Sequence, residues 1–339
     1  MWAAGLKWMF LILATLIGAG YASGREIWQF FGYESGLAII IFTVLFTICS
    51  HVILHISFTE RSAHYFPVLE RLVGRRLAAF YDVLIVFYLF TVTVVMIAAG
   101  GATGTMYQIP NWLGILFIAL MIVLIFTSNV EGVVSMNSYI LPILVGGLVL
   151  VLIIYTRHEQ INLLQDWREQ ANWQAAFPFT ALNILPVVAV IGAIGKQMKG
   201  KGELWIASIG SGLIIGALTY LYNNDLMHIS HAIPHYDIPL FYILKNYPSI
   251  VLIGISIVLW LAIYTSAVSG ILGIVSRFRT KWKGPLWLQA AVLVLLMLPL
   301  TQLGFTDLIA LMYPIFGFAN LYILSAILIY PILNRYKMK

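Results

Sequence analysis

Residues Gly18-Ala19-Gly20-Tyr21-Ala22-Ser23-Gly24-Arg25-Glu26 put three glycines and a charged pair inside a stretch, Trp8 to Phe31, that is otherwise apolar enough to cross a membrane. Glycine loosens helical backbone, and a charge at bilayer depth costs about 3 kcal/mol even on the lenient insertion scale. Unwound backbone at that depth is tolerated only where protein buries it or water reaches it. The pattern therefore predicts freed amides and carbonyls between Gly18 and Gly24, a site for an ion or a small polar solute. Tyr21 and Ser23 share that stretch with Gly18 and Gly20. There, backbone N–H groups and the positive end of the next half-helix can receive a carboxylate. Asn183 is expected to supply a matching polar group from another crossing, and Glu26 is a candidate carrier of a coupling proton.

A second constellation is Ala262-Ile263-Tyr264-Thr265-Ser266-Ala267-Val268-Ser269-Gly270. Adjacent Thr265 and Ser266 hydroxyls, with Ser269 one turn on, suit a hard cation such as sodium. Hydroxyls that only bond back to their own helix are the alternative. Tyr88 and Thr91 are further cavity candidates. His51 and His55 sit one helical turn apart with no third ligand in sight, so a zinc site is not expected. His228, His231, His235 and Asp237 read as a solvated loop in preference to a metal site. Asp82 and Glu131 read as solvated or arginine-paired boundary residues, and lone Cys49 as a small apolar side chain. No G-x-x-x-x-G-K-[ST], HExxH or Ser/His/Asp pattern is present, so neither direct use of ATP nor an enzyme is indicated.

These residues need elements to hold them. At 61% hydrophobic and 9% charged, the chain reads as an all-α polytopic membrane protein with membrane lipid as its surroundings. At about 20 apolar residues per crossing, ten spans follow: 8–30, 35–58, 77–102, 111–128, 135–156, 177–196, 204–222, 248–276, 285–303 and 307–331. One side then carries Lys7; Arg61, Arg71, Arg75 and Arg76; Lys196, Lys199 and Lys201; Arg277, Arg279, Lys281 and Lys283; and Arg335, Lys337 and Lys339. The other has Arg157, Arg168 and Lys245. The positive-inside rule puts both termini in the cytoplasm of a cell-membrane protein, and this placement of the +6 charge removes any need for a nucleic-acid partner. The first 24 residues mimic a secretory signal, but the charge asymmetry closes only with that helix retained. Ser208, Gly212 and Gly216, like Gly100 and Gly104, form small-residue faces for close helix packing. Outer segments 157–176 and 223–247 are long enough for a small helix or a gating loop. Ten spans also divide into repeats of five, 8–156 and 177–331, within a single domain 1–339. Inverted-repeat carriers break one helix in each half, so span 6 should be interrupted at Asn183-Ile184-Leu185-Pro186, unless Pro186 only kinks it.

The segment Ile17 to Glu26, with Gln29-Phe30-Phe31, resembles the hallmark of YkvI-type bacterial membrane proteins over essentially the whole chain. More remotely, the ten-span pattern resembles the LeuT-type fold of the amino acid–polyamine–organocation superfamily. That resemblance implies a sodium held by the carbonyls of Ala14 and Ile17 in span 1 and by Ala262, Thr265 and Ser266 in span 8. In some sodium-independent relatives a span 5 lysine takes the cation's place, and span 5 here has none. The resemblance also implies an outer gate, Arg25 with Asp307. Two departures stand out: Arg25 lies a residue farther from the glycines than the usual gating arginine, and Asn183–Pro186 replaces a glycine-rich span 6 motif. The reading that follows is a sodium-driven secondary transporter of a small polar organic solute such as an amino acid, working by alternating access without another cofactor. A proton-coupled carrier using Glu26 and a non-transporting ligand sensor are the alternatives, and homodimerisation stays open.

Overall fold

The computed structural model describes residues 2–128, 130–163, 169–278 and 284–334, with side chains from 139 onward in the helix that begins at Val130. Glu131's side chain, Arg168, Arg279, Lys281, Lys283, Arg335, Lys337 and Lys339 lie outside the described residues. The elements are α1 (Trp2–Leu16), α2 (Ala19–Ala22), α3 (Arg25–Phe30), α4 (Gly36–Thr59), α5 (Phe66–Thr105), α6 (Asn111–Ile125) and α7 (Val130–His158). They continue with α8 (Ala176–Ile191), α9 (Lys201–His228), α10 (Pro239–Leu244), α11 (Ser249–Phe278), α12 (Leu286–Thr301), α13 (Phe305–Ala319) and α14 (Leu321–Leu333). Seven described helical segments are long and apolar enough to cross a membrane, and three shorter apolar helices fall on spans 1, 4 and 9. The chain is a multi-pass, all-α membrane protein.

Contacts sort the crossings into two groups. α1 and α4 pack along α9, and α8 packs on α4 and α1, so spans 1, 2, 6 and 7 form one bundle. The other group is built on α11, which packs against α5 and α7, with α6 and α12 leaning on α5. Span 10, split at Asn320 into α13 and α14, packs on α8 and reaches both groups. The small-residue faces explain the closeness inside each group. An added Cβ at Gly212 or Gly216 would lie 1.9 or 2.1 Å from the hydroxyls of Thr47 and Thr43 on α4, and one at Gly100 would lie 2.7 Å from Ile118 of α6. Van der Waals contact of this kind replaces the hydrophobic drive that helices lack in lipid. Aromatic rings seal the bundle where spans 1, 2 and 6 meet: Phe179 lies 4.6 Å from Phe31 and 4.7 Å from Phe42, centroid to centroid.

The first crossing is broken as its glycines demand. The helix stops at Leu16, leaves helical geometry at Ile17–Gly18, makes one turn, and restarts after Gly24, whose φ is +83°. The interruption expected at Asn183–Pro186 is absent. α8 runs unbroken through Pro186 to Ile191, and the chain turns only after it. A proline removes one backbone donor, and neighbours packed along a membrane helix tolerate that loss. Here α4, α13 and α1 enclose α8, and the Asn183 side chain donates to the Phe179 carbonyl (3.0 Å), bonding within the helix.

Candidate functional site

At the break in span 1, backbone bonding is incomplete. Among the described residues, no donor reaches the carbonyls of Ala14, Thr15 or Ile17, and no acceptor meets the N–H groups of Ala19, Gly20 or Tyr21. The cause is local. Gly18 N–H turns back to the Leu16 carbonyl (2.9 Å) instead of continuing the helix to Ala14. Ile17, Ala19, Gly20 and Tyr21 are buried and Ala14 and Thr15 half-buried, so most of these groups sit inside the protein. Each unpaired group there would cost on the order of 1–3 kcal/mol, which a bound ion, solute or water would relieve. The carbonyls of Ala14 and Ile17 are among these unpaired groups.

The span 8 half of that arrangement is different. Thr265 Oγ1 donates to the carbonyls of Leu261 (3.0 Å) and Ala262 (3.2 Å), and Ser269 donates to Thr265 (2.8 Å). These are the back-bonds of an ordinary helix, and they engage the Ala262 carbonyl. Ser266 is half-buried on the same helix, and α2 of span 1 packs against α11.

Tyr21 and Ser23 spend their hydroxyls on structure. Tyr21 turns toward α9, where its hydroxyl bonds Thr219 Oγ1 (2.8 Å) and the Ile215 carbonyl (3.3 Å). Ser23 Oγ donates to the Gly20 carbonyl (2.9 Å) and accepts from the Arg25 N–H (3.2 Å), which steadies the turn into α3. Glu26 points the other way, into the protein centre, and is 5% exposed. Asn183 Nδ2 stands 3.4 Å from its Oε1. A Cβ on Gly20 would lie 2.9 Å from Glu26 Oε2 and 3.3 Å from the Tyr313 hydroxyl, so the carboxylate, the loosened backbone and span 10 converge on one point. Tyr88 also feels the Glu26 charge, and its ring packs edge-on against Phe316 (5.4 Å). Among the described residues no cation pairs with Glu26. Thr91 is half-buried on α5.

Arg25 is held differently from the gate that the resemblance implies. Its guanidinium donates to the carbonyls of Ile233 (3.1 Å), Asp237 (3.3 Å) and Tyr236, all in the segment between α9 and α10. The charge of Asp307 is felt there, but no Arg25–Asp307 ion pair forms. Asp237 instead accepts from Thr306 at the start of α13 (2.8 Å), and Leu240 N–H donates to the Ser23 carbonyl (3.1 Å). The α10 segment is thereby fastened over the break. Arg25→Ala should strand three carbonyls and raise hydrogen exchange across residues 229–244 by about tenfold or more. Arg25→Lys should rescue only in part, because an ammonium lacks the guanidinium fork. Unchanged exchange in Arg25→Ala would remove this role.

His51 stacks on Trp205 (3.8 Å) beside Ser208, and His231 meets Tyr242. Among the described residues no group of three or more His, Cys, Asp or Glu could hold a metal ion. Asp82 ties the scaffold together, accepting from Tyr65 (2.6 Å) and Arg277.

A ten-crossing helical bundle with its first crossing unwound around buried backbone and an acid defines a LeuT-like membrane protein. No family model matches the chain. It is 49% identical over 337 residues to YyaD of Bacillus subtilis (strain 168), covering 99% of this chain and 100% of that protein. It is 25% identical over 335 residues to the membrane protein YkvI of the same organism, covering 94% of each. The chain belongs to this family of YkvI-type bacterial membrane proteins. Its fold is similar to that of Mhp1 in an inward-facing conformation (TM-score 0.62, 11% identity, 98% of this chain and 77% of that one). It is also similar to a point mutant of the Eremococcus coleocola manganese transporter (0.56, 14%, 86% and 69%). A third likeness is to a Na+-coupled sialic acid symporter in a substrate-bound outward-open state (0.56, 15%, 90% and 73%).

Proposed function

We propose that this protein is a secondary active transporter of a small polar organic solute such as an amino acid, driven by an ion gradient. The observation that carries the reading is the set of unpaired carbonyls and amides between Ala14 and Tyr21, half-buried at Ala14 and Thr15 and buried at Ile17 and from Ala19 to Tyr21, where α2 meets α5 and α11 of the scaffold. The amides of Ala19, Gly20 and Tyr21 suit a solute carboxylate, and the carbonyls of Ala14 and Ile17 suit sodium, with Thr265 and Ser266 completing its shell after Thr265 releases its back-bonds. Spans 1, 2, 6 and 7 then rock against the scaffold, and the α10 segment closes the outer end. Transport activity in the structural neighbours supports this reading, as does the separation of contacts into two groups. The halves 8–156 and 177–331 would be the inverted repeats, with both termini in the cytoplasm.

A thermal-shift screen of purified protein tests the coupling ion. Sodium in excess should stabilise relative to potassium by about 2.7 kcal/mol at 100 times its Kd. Thr265→Ala and Ser266→Ala should abolish that difference. Equal stability in the two salts would remove sodium. Uptake of a stabilising amino acid into vesicles separates a carrier from a sensor, which binds without flux.

The isolation of Glu26 among neutral groups favours a second reading of the coupling ion, a proton carried on that side chain. An unpaired carboxylate at this depth is costly unless something neutralises it.

A further inference from the structure

A second buried acid lies away from the central site. Asp225, one turn before the end of α9, is 0% exposed. Its Oδ1 accepts from Thr156 Oγ1 near the end of α7 (2.8 Å), and Oδ2 has no partner among the described residues. No lysine, arginine or histidine of the described residues pairs with it. The ionisable groups that feel its charge are Tyr222 on α9, Tyr155 on α7 and Tyr247 at the entry to α11. From α3, Arg25 answers to Asp237 and Asp307 instead. α1 and α4 contribute only Lys7, His51 and His55 as titratable side chains besides Cys49, all at or toward the opposite end. Tyr222 feels Tyr21 of α2 as well as Asp225.

An ionised carboxylate so placed, with one neutral donor and no counter-charge, costs several kcal/mol. A metal ion would need several converging oxygens, whereas a proton needs only one. A cavity of about 230 Å³ at the end of α7 is lined in part by Tyr155, His158, Glu159 and Tyr247, two of them tyrosines that feel the Asp225 charge. Glu159 in its wall is partly exposed and meets His158 (3.1 Å) and His228 (3.6 Å).

We propose that Asp225 is a proton-binding site, separate from Glu26, loaded from the α10 end through this cavity. The proton arrives from water through the cavity and forms an O–H bond on Oδ2, and nothing else is consumed. Thr156 belongs to the scaffold and Asp225 to the bundle, so the site lies on a bridge between the two groups. A hydrogen bond to a charged oxygen is roughly twice as strong as one to a neutral oxygen. Protonation therefore loosens the bridge and frees span 7. This last consequence rests on the carrier reading, while the protonation does not.

Infrared difference spectra of the full chain in lipid nanodiscs, recorded between acidic and alkaline buffers, test the site. The wild type should show the C=O stretch of one protonated carboxyl that Asp225→Asn removes and Glu26→Gln leaves in place. Thr156→Val should shift the frequency of that same band, which covers the case of an Asp225→Asn protein that fails to fold. A band untouched by both substitutions would overturn the proposal, and so would displacement of the proton by sodium at fixed pH. Failure of solute flux with the band intact would strike the carrier reading alone.

Discussion

Gly24→Ala is expected to destabilise the protein by about 3 kcal/mol or more and to stop solute exchange. Two independent costs combine. At φ +83° an L side chain is strained by on the order of 1–3 kcal/mol. The new methyl would also stand 2.7 Å from the Tyr222 hydroxyl oxygen, 2.8 Å from its ring and 3.1 Å from Leu226, an overpacking worth about 1–3 kcal/mol more. Tyr222 has little room to retreat, being fully buried with its hydroxyl donating to the Ala22 carbonyl (3.1 Å). The residue that joins α2 to α3 is therefore fixed by the helix across from it. Thermal unfolding in detergent measures the loss. Pairing Gly24→Ala with Tyr222→Leu should recover the overpacking part and leave the backbone part, so a double-mutant cycle should show coupling of at least about 1 kcal/mol. An alanine protein as stable as wild type would mean that the turn at Gly24 is not left-handed.

Much of this was legible in the sequence because glycine and charge are unambiguous in an apolar context. Gly18, Gly20, Gly24 and Arg25 announce the break in span 1, and loop charges separate the ten crossings. Four features left weaker traces. Pro186 signals a missing donor but not whether packing compensates, and α8 stays whole because its neighbours and Asn183 hold it. Arg25 finds its partners among the backbone carbonyls of residues 233–237, which any sequence could supply, so the charge of Asp307 was the visible but indirect candidate. Asn223-Asn224-Asp225 reads as the polar start of a loop after a span ending at 222, yet α9 continues to His228. Asn223 donates to the Gly32 carbonyl (2.9 Å) and Asn224 to Tyr220 (2.7 Å), so the polar run is drawn inside and Asp225 with it. Asn320 is similar: a single buried polar residue marks the split of span 10, without the glycines that flag span 1.

Glu26→Gln separates the two readings of the coupling ion. The amide keeps the shape of the side chain and removes the ionisable group, and no cation pairs with the carboxylate among the described residues, so little native contact is lost. The protein should fold with unimpaired thermal stability, since no buried charge is stranded by the change. If Glu26 carries the driving proton, uptake into vesicles under a pH gradient should fall about 100-fold, near the upper end of typical coupling free energies. Exchange of labelled for unlabelled solute, which needs no net ion movement, should persist. If sodium alone drives transport, the substitution should leave sodium-dependent uptake and sodium stabilisation as they were, and Thr265→Ala should abolish both. The geometry sharpens the distinction, because the acid and the free carbonyls lie on opposite sides of one turn. Ala14 and Ile17 precede Gly18, whereas Glu26 returns to Gly20 from α3 and meets span 10 through Tyr313. Gly20→Ala would push a methyl to 2.9 Å from the Glu26 carboxylate and 3.2 Å from the Tyr313 ring while leaving the carbonyls before Gly18 in place. A proton-driven carrier should therefore lose activity in Gly20→Ala as it does in Glu26→Gln. One driven by sodium at Ala14 and Ile17 should keep its sodium response in both.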